Sequence, residues 1–218
     1  MVLDSGALTE ALPPAQRLAL AYAPARARAA TLAIFALDAR LAAILRGRRE
    51  PIAAQLRLAW WRDVLAQPSA RWPRGEPALD ALRGWREPAA LAGLPAAWEA
   101  LLVDNLDPAA IAEFVDGRGQ AFAALAGELG VERVADAAAA GQVWALADLA
   151  ANMSDGAERQ LVIDYGRSLA PPPRLSASLR PLAVLAALGA AALARGGGEL
   201  LGGLGSALLA LRIGLTGR

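Results

Sequence analysis

An all-α helical bundle is the fold that this chain predicts, and three observations carry it. Alanine, the best intrinsic helix former, makes up about a quarter of the 218 residues. Apolar residues recur at spacings of three and four. Pro and Gly stand where helices begin and end, and no alternating strand pattern competes.

A first helix is expected from Pro13 to Tyr22. Pro24 suits the first turn of a long second helix ending at Gly47, with Leu32, Phe35, Ala36, Ala39, Ala42 and Ala43 as one core-facing stripe. A third helix runs from Pro51 to about Ala66, with Ile52, Leu56, Ala59, Trp60 and Val64 close to one side. The punctuation at Pro68, Pro73, Gly75, Pro77, Gly84 and Pro88 predicts a loop over 67–93 with at most one short helix near Ala78 to Trp85. Pro95 to Leu106 reads as another helix. Asp107 is placed as an N-cap with Pro108 in the first turn, opening a helix that runs to Gly130. The next helix spans Val131 to about Asn152, where the run Ala137 to Ala140 lets a neighbouring backbone come close. Asp155, Gly156 and Pro171 to Pro173 are breakers before the final helices.

Charge and residue usage narrow the chemistry. Lys+Arg number 22 and Asp+Glu 21, so no field of one sign advertises nucleic acid. All the basic residues are arginine, and Lys, His and Cys are absent. Catalytic triads, lysine Schiff bases, Walker P-loops, disulfides and Cys/His zinc sites are therefore excluded. Heavy use of Ala, Arg, Gly and Pro reads as a high-GC coding sequence, which accounts for part of that absence. Any reaction has to run on carboxylates, hydroxyls, arginine, backbone groups or a hard metal held by oxygen.

Met1 to Leu12 carries Asp4 and Glu10 with no apolar run behind a basic head, so a cytoplasmic location is expected. Pro181 to Ala194, bounded by Arg180 and Arg195, falls short of the roughly 20 residues of a spanning helix and reads as a core helix. The Leu- and Gly-rich stretch that follows, to Leu215, leaves open a peripheral membrane contact through the last helices.

Carboxylate pairs one turn apart are the arrangement that holds Mg²⁺ against diphosphates. Asp104 and Asp107 do not share a helical face, and Glu128, Glu132 and Asp136 read as solvated. Asp38, with Arg40 nearby, and Asp148 stand among apolar neighbours, each either facing a polar cavity or lying on the exposed side of its helix.

Three stretches together resemble the squalene/phytoene synthase family, in an order and spacing that fit over about residues 15–165. Residues 28–41, with Arg28, Phe35, Asp38 and Arg40, resemble its early helix. Residues 49–65, ending in Trp60-Trp61-Arg62-Asp63, are similar to a loop leading into a helix with a Trp-Arg-Asp-like ending. Residues 141–149, with Trp144 and Asp148, resemble the helix that carries the second aspartate motif. The resemblance implies the isoprenoid-synthase helical fold in one domain over 1–218. It does not carry over the chemistry: the first aspartate-rich motif falls at Ala42, Ala43 and Arg46, and the second at Asn152 and Gly156, with Asp155 beside it. Such a pattern is similar to a divergent branch whose mitochondrial members serve respiratory complex I assembly.

The expectation is a synthase-like protein without head-to-head condensation of prenyl diphosphates. It would need no cofactor, and would bind an isoprenoid or other lipid or serve a protein partner. Arg28, Phe35, Asp38, Trp61, Asp148 and Asn152 are its candidate ligand-binding residues, with plain core packing the alternative for Phe35 and Trp61. The competing expectation is a Mg²⁺-dependent prenyltransferase whose rearranged metal site uses Asp38, Asp148 and Asp155.

Overall fold

Helix signals in the sequence become helices in order. The computed structural model describes residues 5–46 and 51–218, and among these every regular element is helical. A short α1 (Ser5–Glu10), which the sequence reading does not foresee, precedes α2 (Pro14–Ala21) and the long α3 (Ala25–Arg46). Then come α4 (Pro51–Leu65), α5 (Pro77–Leu82), α6 (Leu94–Glu99), α7 (Pro108–Glu128), α8 (Val134–Asn152), α9 (Gly156–Arg167), α10 (Arg180–Ala194) and α11 (Leu204–Thr216).

The ends have identifiable causes. Asp107 caps α7 as expected, its side chain accepting from Ala110 N–H at 2.8 Å with Pro108 in the first turn. At the other end Gly130 adopts φ +68°, and Val131 N–H closes onto the Ala126 carbonyl at 2.8 Å. That Schellman closure takes up Val131, so α8 begins at Val134 rather than Val131. The helix expected to reach Leu106 stops at Glu99. Asp104 and Asn105 favour turns over helix interiors, and Asp107 must be extended (φ −124°, ψ 167°) ahead of Pro108.

The loop over 67–93 holds α5 and two short 3₁₀ turns, stitched by Arg83. Its guanidinium donates to Asp80 at 3.1 Å and to the carbonyls of Trp72 and Pro73 at 2.8 Å each, and also bonds the Ser69 carbonyl. Trp72 and Trp85 are buried beneath this loop.

Two burial expectations change. Helix α3 has no single core stripe, because Thr31 to Asp38 are buried on every side, and its last turns regain a wet face at Arg40, Ala43 and Arg46. In α4 the buried face is Ala54, Leu58, Trp61, Val64 and Leu65, so Val64 packs inward as expected while Ile52, Leu56 and Trp60 are exposed. Helix α4 is apolar nearly all round, so spacing does not select its inner face.

Helix α8 lies between α7 and α10 and also meets α9, while α3 packs on α4, α5, α6 and α7. The five-residue link between α7 and α8 makes them antiparallel neighbours. Their backbones approach at Gly119 and Gly141, as the run Ala137 to Ala140 leads one to expect. A Cβ on Gly119 would lie 2.9 Å from Gln142 Cγ and 3.0 Å from the Ala138 carbonyl oxygen, and one on Gly141 would lie 2.8 Å from the Phe122 ring. Gly119→Val is expected to cost about 1–3 kcal/mol, read as a lower melting temperature, because the Ala138 backbone stands in the way even when the Gln142 side chain gives.

The apolar stretch 177–194 combines a 3₁₀ turn with α10. By length and composition it reaches what a bilayer crossing needs, which the sequence reading places just out of range, yet 56 % of it is buried within the protein.

Candidate functional site

At the middle of the bundle α7 places a charge where its apolar face should be continuous. Ile111, Phe114, Val115, Ala121, Phe122 and Leu125 form that buried face, and Arg118 sits in the middle of it with 0 % exposure. Gly117 and Gly119 flank it; a Cβ at Gly117 would come within 2.4 Å of the Ala97 Cβ, so bare backbone here lets α6 close down.

Arg118 is satisfied from two helices. Its Nε donates to Asp38 Oδ1 at 3.0 Å and its Nη2 to Asp38 Oδ2 at 2.7 Å, a two-pronged pair with α3. Its Nη1 donates to Asp148 Oδ2 on α8 at 2.9 Å. Aromatic faces close the remaining sides: the guanidinium carbon lies 4.3 Å from the Trp144 ring centre, 5.0 Å from Trp98 and 5.3 Å from Phe114.

Asp38 receives two further donors, Trp98 Nε1–H at 3.1 Å and the Gln16 amide at 3.3 Å. Burial pushes the Asp38 carboxyl above its ordinary pKa, opposed by the charge and hydrogen bonds of Arg118 and by Trp98. Every group recorded on its two oxygens is a donor, so the surroundings are built for the carboxylate. Burial likewise works against the Arg118 cation, and Asp38 with Asp148 outweighs it, holding the guanidinium above its usual pKa.

Asp148 is the outlet of this buried cluster. Its side chain is 30 % exposed and lines a cavity of about 270 Å³ between α3, α7, α8 and the start of α9. Leu45, Trp98, Leu101, Phe114, Leu149 and Met153 give the apolar wall; Arg46, Asp148, Asn152, Ser154 and Glu158 give the polar groups. Asn152 donates to the Asp148 carbonyl at 2.8 Å, and Glu158 accepts Leu106 N–H at 3.1 Å. Arg46 lines the cavity and makes no ion pair among the described residues.

The structure brings together Asp38, Asp148 and Asn152 from the sequence-predicted set and sets Arg28, Phe35 and Trp61 apart. Arg28 donates to the Leu20 carbonyl at 2.9 Å and ties α3 to α2. Phe35 is core, with its ring centre 6.3 Å from Phe122 and 5.8 Å from Trp144. Trp61 is buried against Trp60 and borders a different groove, one lined by Arg40, Ala43, Leu56 and Arg57. Arg40 does not serve Asp38; it faces Glu76 at 3.5 Å on the surface.

Compared with protein-family models, curated proteins and solved structures, this chain matches none.

The positions that the synthase resemblance singles out can still be located. Ala42, Arg46 and Asn152 line the same cavity; Ala43 turns to the neighbouring groove, and Gly156 only begins α9. Asp155 spends its carboxylate as the α9 cap, accepting Ala157 and Glu158 N–H at 2.8 and 2.9 Å. The three acids of a rearranged Mg²⁺ site are therefore engaged elsewhere: Asp38 by four donors, Asp148 by Arg118, Asp155 by backbone. Mg²⁺ does not fit this set, since a guanidinium already fills the space between the two acids best placed to share it.

Sequence reasoning missed Arg118, Gln16 and Trp98 as the partners of the buried acid. For Arg118 a signal existed: it is the one charge on a seven-position apolar stripe of α7, between two glycines. For Gln16 and Trp98 none did.

Proposed function

We propose that this protein is a squalene/phytoene synthase-like bundle that binds an isoprenoid or similar lipid without metal-dependent condensation of prenyl diphosphates. The observation that carries this reading is the cavity of about 270 Å³ on which Ala42, Arg46 and Asn152 converge, at positions where the resembled enzymes would present metal-binding acids. An arginine there favours an anionic head directly, the role a metal would otherwise fill. The apolar wall from Leu45 to Met153 suits a hydrocarbon tail, and orientation would come from Asn152 and Asp148.

The volume of about 270 Å³ lies just below the usual ligand-pocket range of roughly 300–1,000 Å³, so a short prenyl or acyl segment fits better than a long one. Asp38 and Arg118 act behind the wall: they fix Asp148 and hold α3, α7 and α8 at the spacing that leaves the cavity.

A thermal-shift panel of short prenyl and acyl alcohols, phosphates and carboxylates tests this reading. At a hundredfold excess over Kd, a bound ligand stabilises by about 2.7 kcal/mol, or roughly 5–10 °C for a chain of this size. Arg46 is exposed, so Arg46→Glu should leave the unliganded melting temperature in place while removing the shift from anionic ligands. A flat response across the panel refutes the reading.

A further inference from the structure

Helix α11 is apolar on two opposite sides. Its inner side turns Ser206 and Ala210 into the protein, and the helix packs on α10. Its outer side leaves Leu204 85 % exposed, Leu208 65 %, Leu211 46 % and Leu215 69 %. At about 100° per residue these four leucines fall within an arc of roughly 60°, a stripe about 17 Å long. Arg212 stands about 70° from the centre of that arc, on its flank, where a long side chain can bury its stem beside the leucines and keep its charge in water.

Charge says what such a stripe faces. Beyond residue 168 the sequence carries Arg174, Arg180, Arg195, Arg212 and Arg218 against Glu199 as the one acid, whereas residues 1–167 hold more acids than arginines. Arg195, Arg212 and Arg218 are exposed, and none is in an ion pair among the described residues. A second copy of the chain is a poor fit, because a strip 17 Å long and one helix wide (about 10 Å) is far below the roughly 800 Å² per partner of a stable interface. An interfacial helix needs no more than this: one apolar stripe entering the acyl boundary, with cations beside it at the headgroups.

We propose that α11 seats the protein on an anionic lipid surface, with Leu204, Leu208, Leu211 and Leu215 entering the bilayer boundary and Arg212 at the phosphates. The sequence reading left this contact open for the last helices together; burial removes α10 from that role and leaves α11 as the face. The inference is independent of the ligand proposed for the cavity.

Vesicle flotation of the full chain tests it, with phosphatidylcholine alone and with phosphatidylcholine containing phosphatidylglycerol. Binding is expected to the mixed vesicles, to weaken with added salt, and to fall about tenfold or more in Leu208→Glu/Leu215→Glu. The double variant should melt where the parent does, since both side chains already meet water. Arg212→Gln should reduce binding to the mixed vesicles and leave phosphatidylcholine binding as it was. Equal flotation of parent and double variant, no flotation at all, or a double variant that turns a dimer into a monomer overturns the proposal. Equal binding of the parent to both vesicle types overturns its charge selectivity.

Discussion

Arg118→Met should lower the melting temperature by about 6–20 °C. The substitution keeps much of the buried volume on α7 but leaves the Asp38 carboxylate, 2 % exposed, with Trp98 and Gln16 as its remaining donors. Breaking one side of a buried ion pair costs about 3–5 kcal/mol, and a domain of this size loses about 2–4 °C per kcal/mol. Lysine should not rescue it, because a point charge cannot reach both Asp38 oxygens and Asp148 at once.

The pH dependence has a definite sign. Burial raises the Asp38 pKa, and removing Arg118 removes the main influence opposing it. An acid whose pKa is higher folded than unfolded gains stability as pH falls through the folded value, so the Arg118→Met deficit should narrow on acidification. A deficit that stays constant or widens as pH falls would mean that Asp38 is not the group left stranded.

The second large effect is expected at Trp144. Its ring is 1 % exposed, lies 5.1 Å from Phe122 and 5.8 Å from Phe35 between ring centres, and forms the nearest aromatic face to Arg118. Trp144→Ala combines a large cavity with loss of the cation–π contact and should cost about 3–5 kcal/mol in chemical denaturation. Trp144→Phe keeps an aromatic face and should cost clearly less. Because Trp144 and Arg118 touch, the two substitutions should be non-additive in a double-mutant cycle. Additive losses would show that packing alone, with no coupling to the guanidinium, accounts for Trp144.

Much of the architecture was legible in the sequence because helix ends are written locally. Asp107-Pro108 and Gly130 specify their own backbone, and the alanine run in α8 announces close packing whatever lies opposite. Burial direction was less legible. Helix α4 is apolar on nearly every side, so spacing placed Val64 inward correctly but also Ile52, Leu56 and Trp60, when Leu58, Trp61 and Leu65 are the ones that pack with it.

The site was legible by halves. Asp38 and Asp148 stood out as acids in apolar company, a local signal. Their partner was not local: Arg118 lies 80 residues from Asp38 and 30 from Asp148, and the nearer Arg40 was a decoy that pairs with Glu76. Gln16 and Trp98 join Asp38 only through the fold, and no spacing in the chain marks either of them.

The decisive measurement is to incubate the purified protein with a short prenyl diphosphate, dimethylallyl or geranyl, with and without Mg²⁺, and to follow both retained ligand and released diphosphate. Saturable retention of intact ligand that neither Mg²⁺ nor a chelator alters is the expected result. Mg²⁺-dependent release of diphosphate above background would contradict it, because the acids that hold Arg118 would then have to be holding metal.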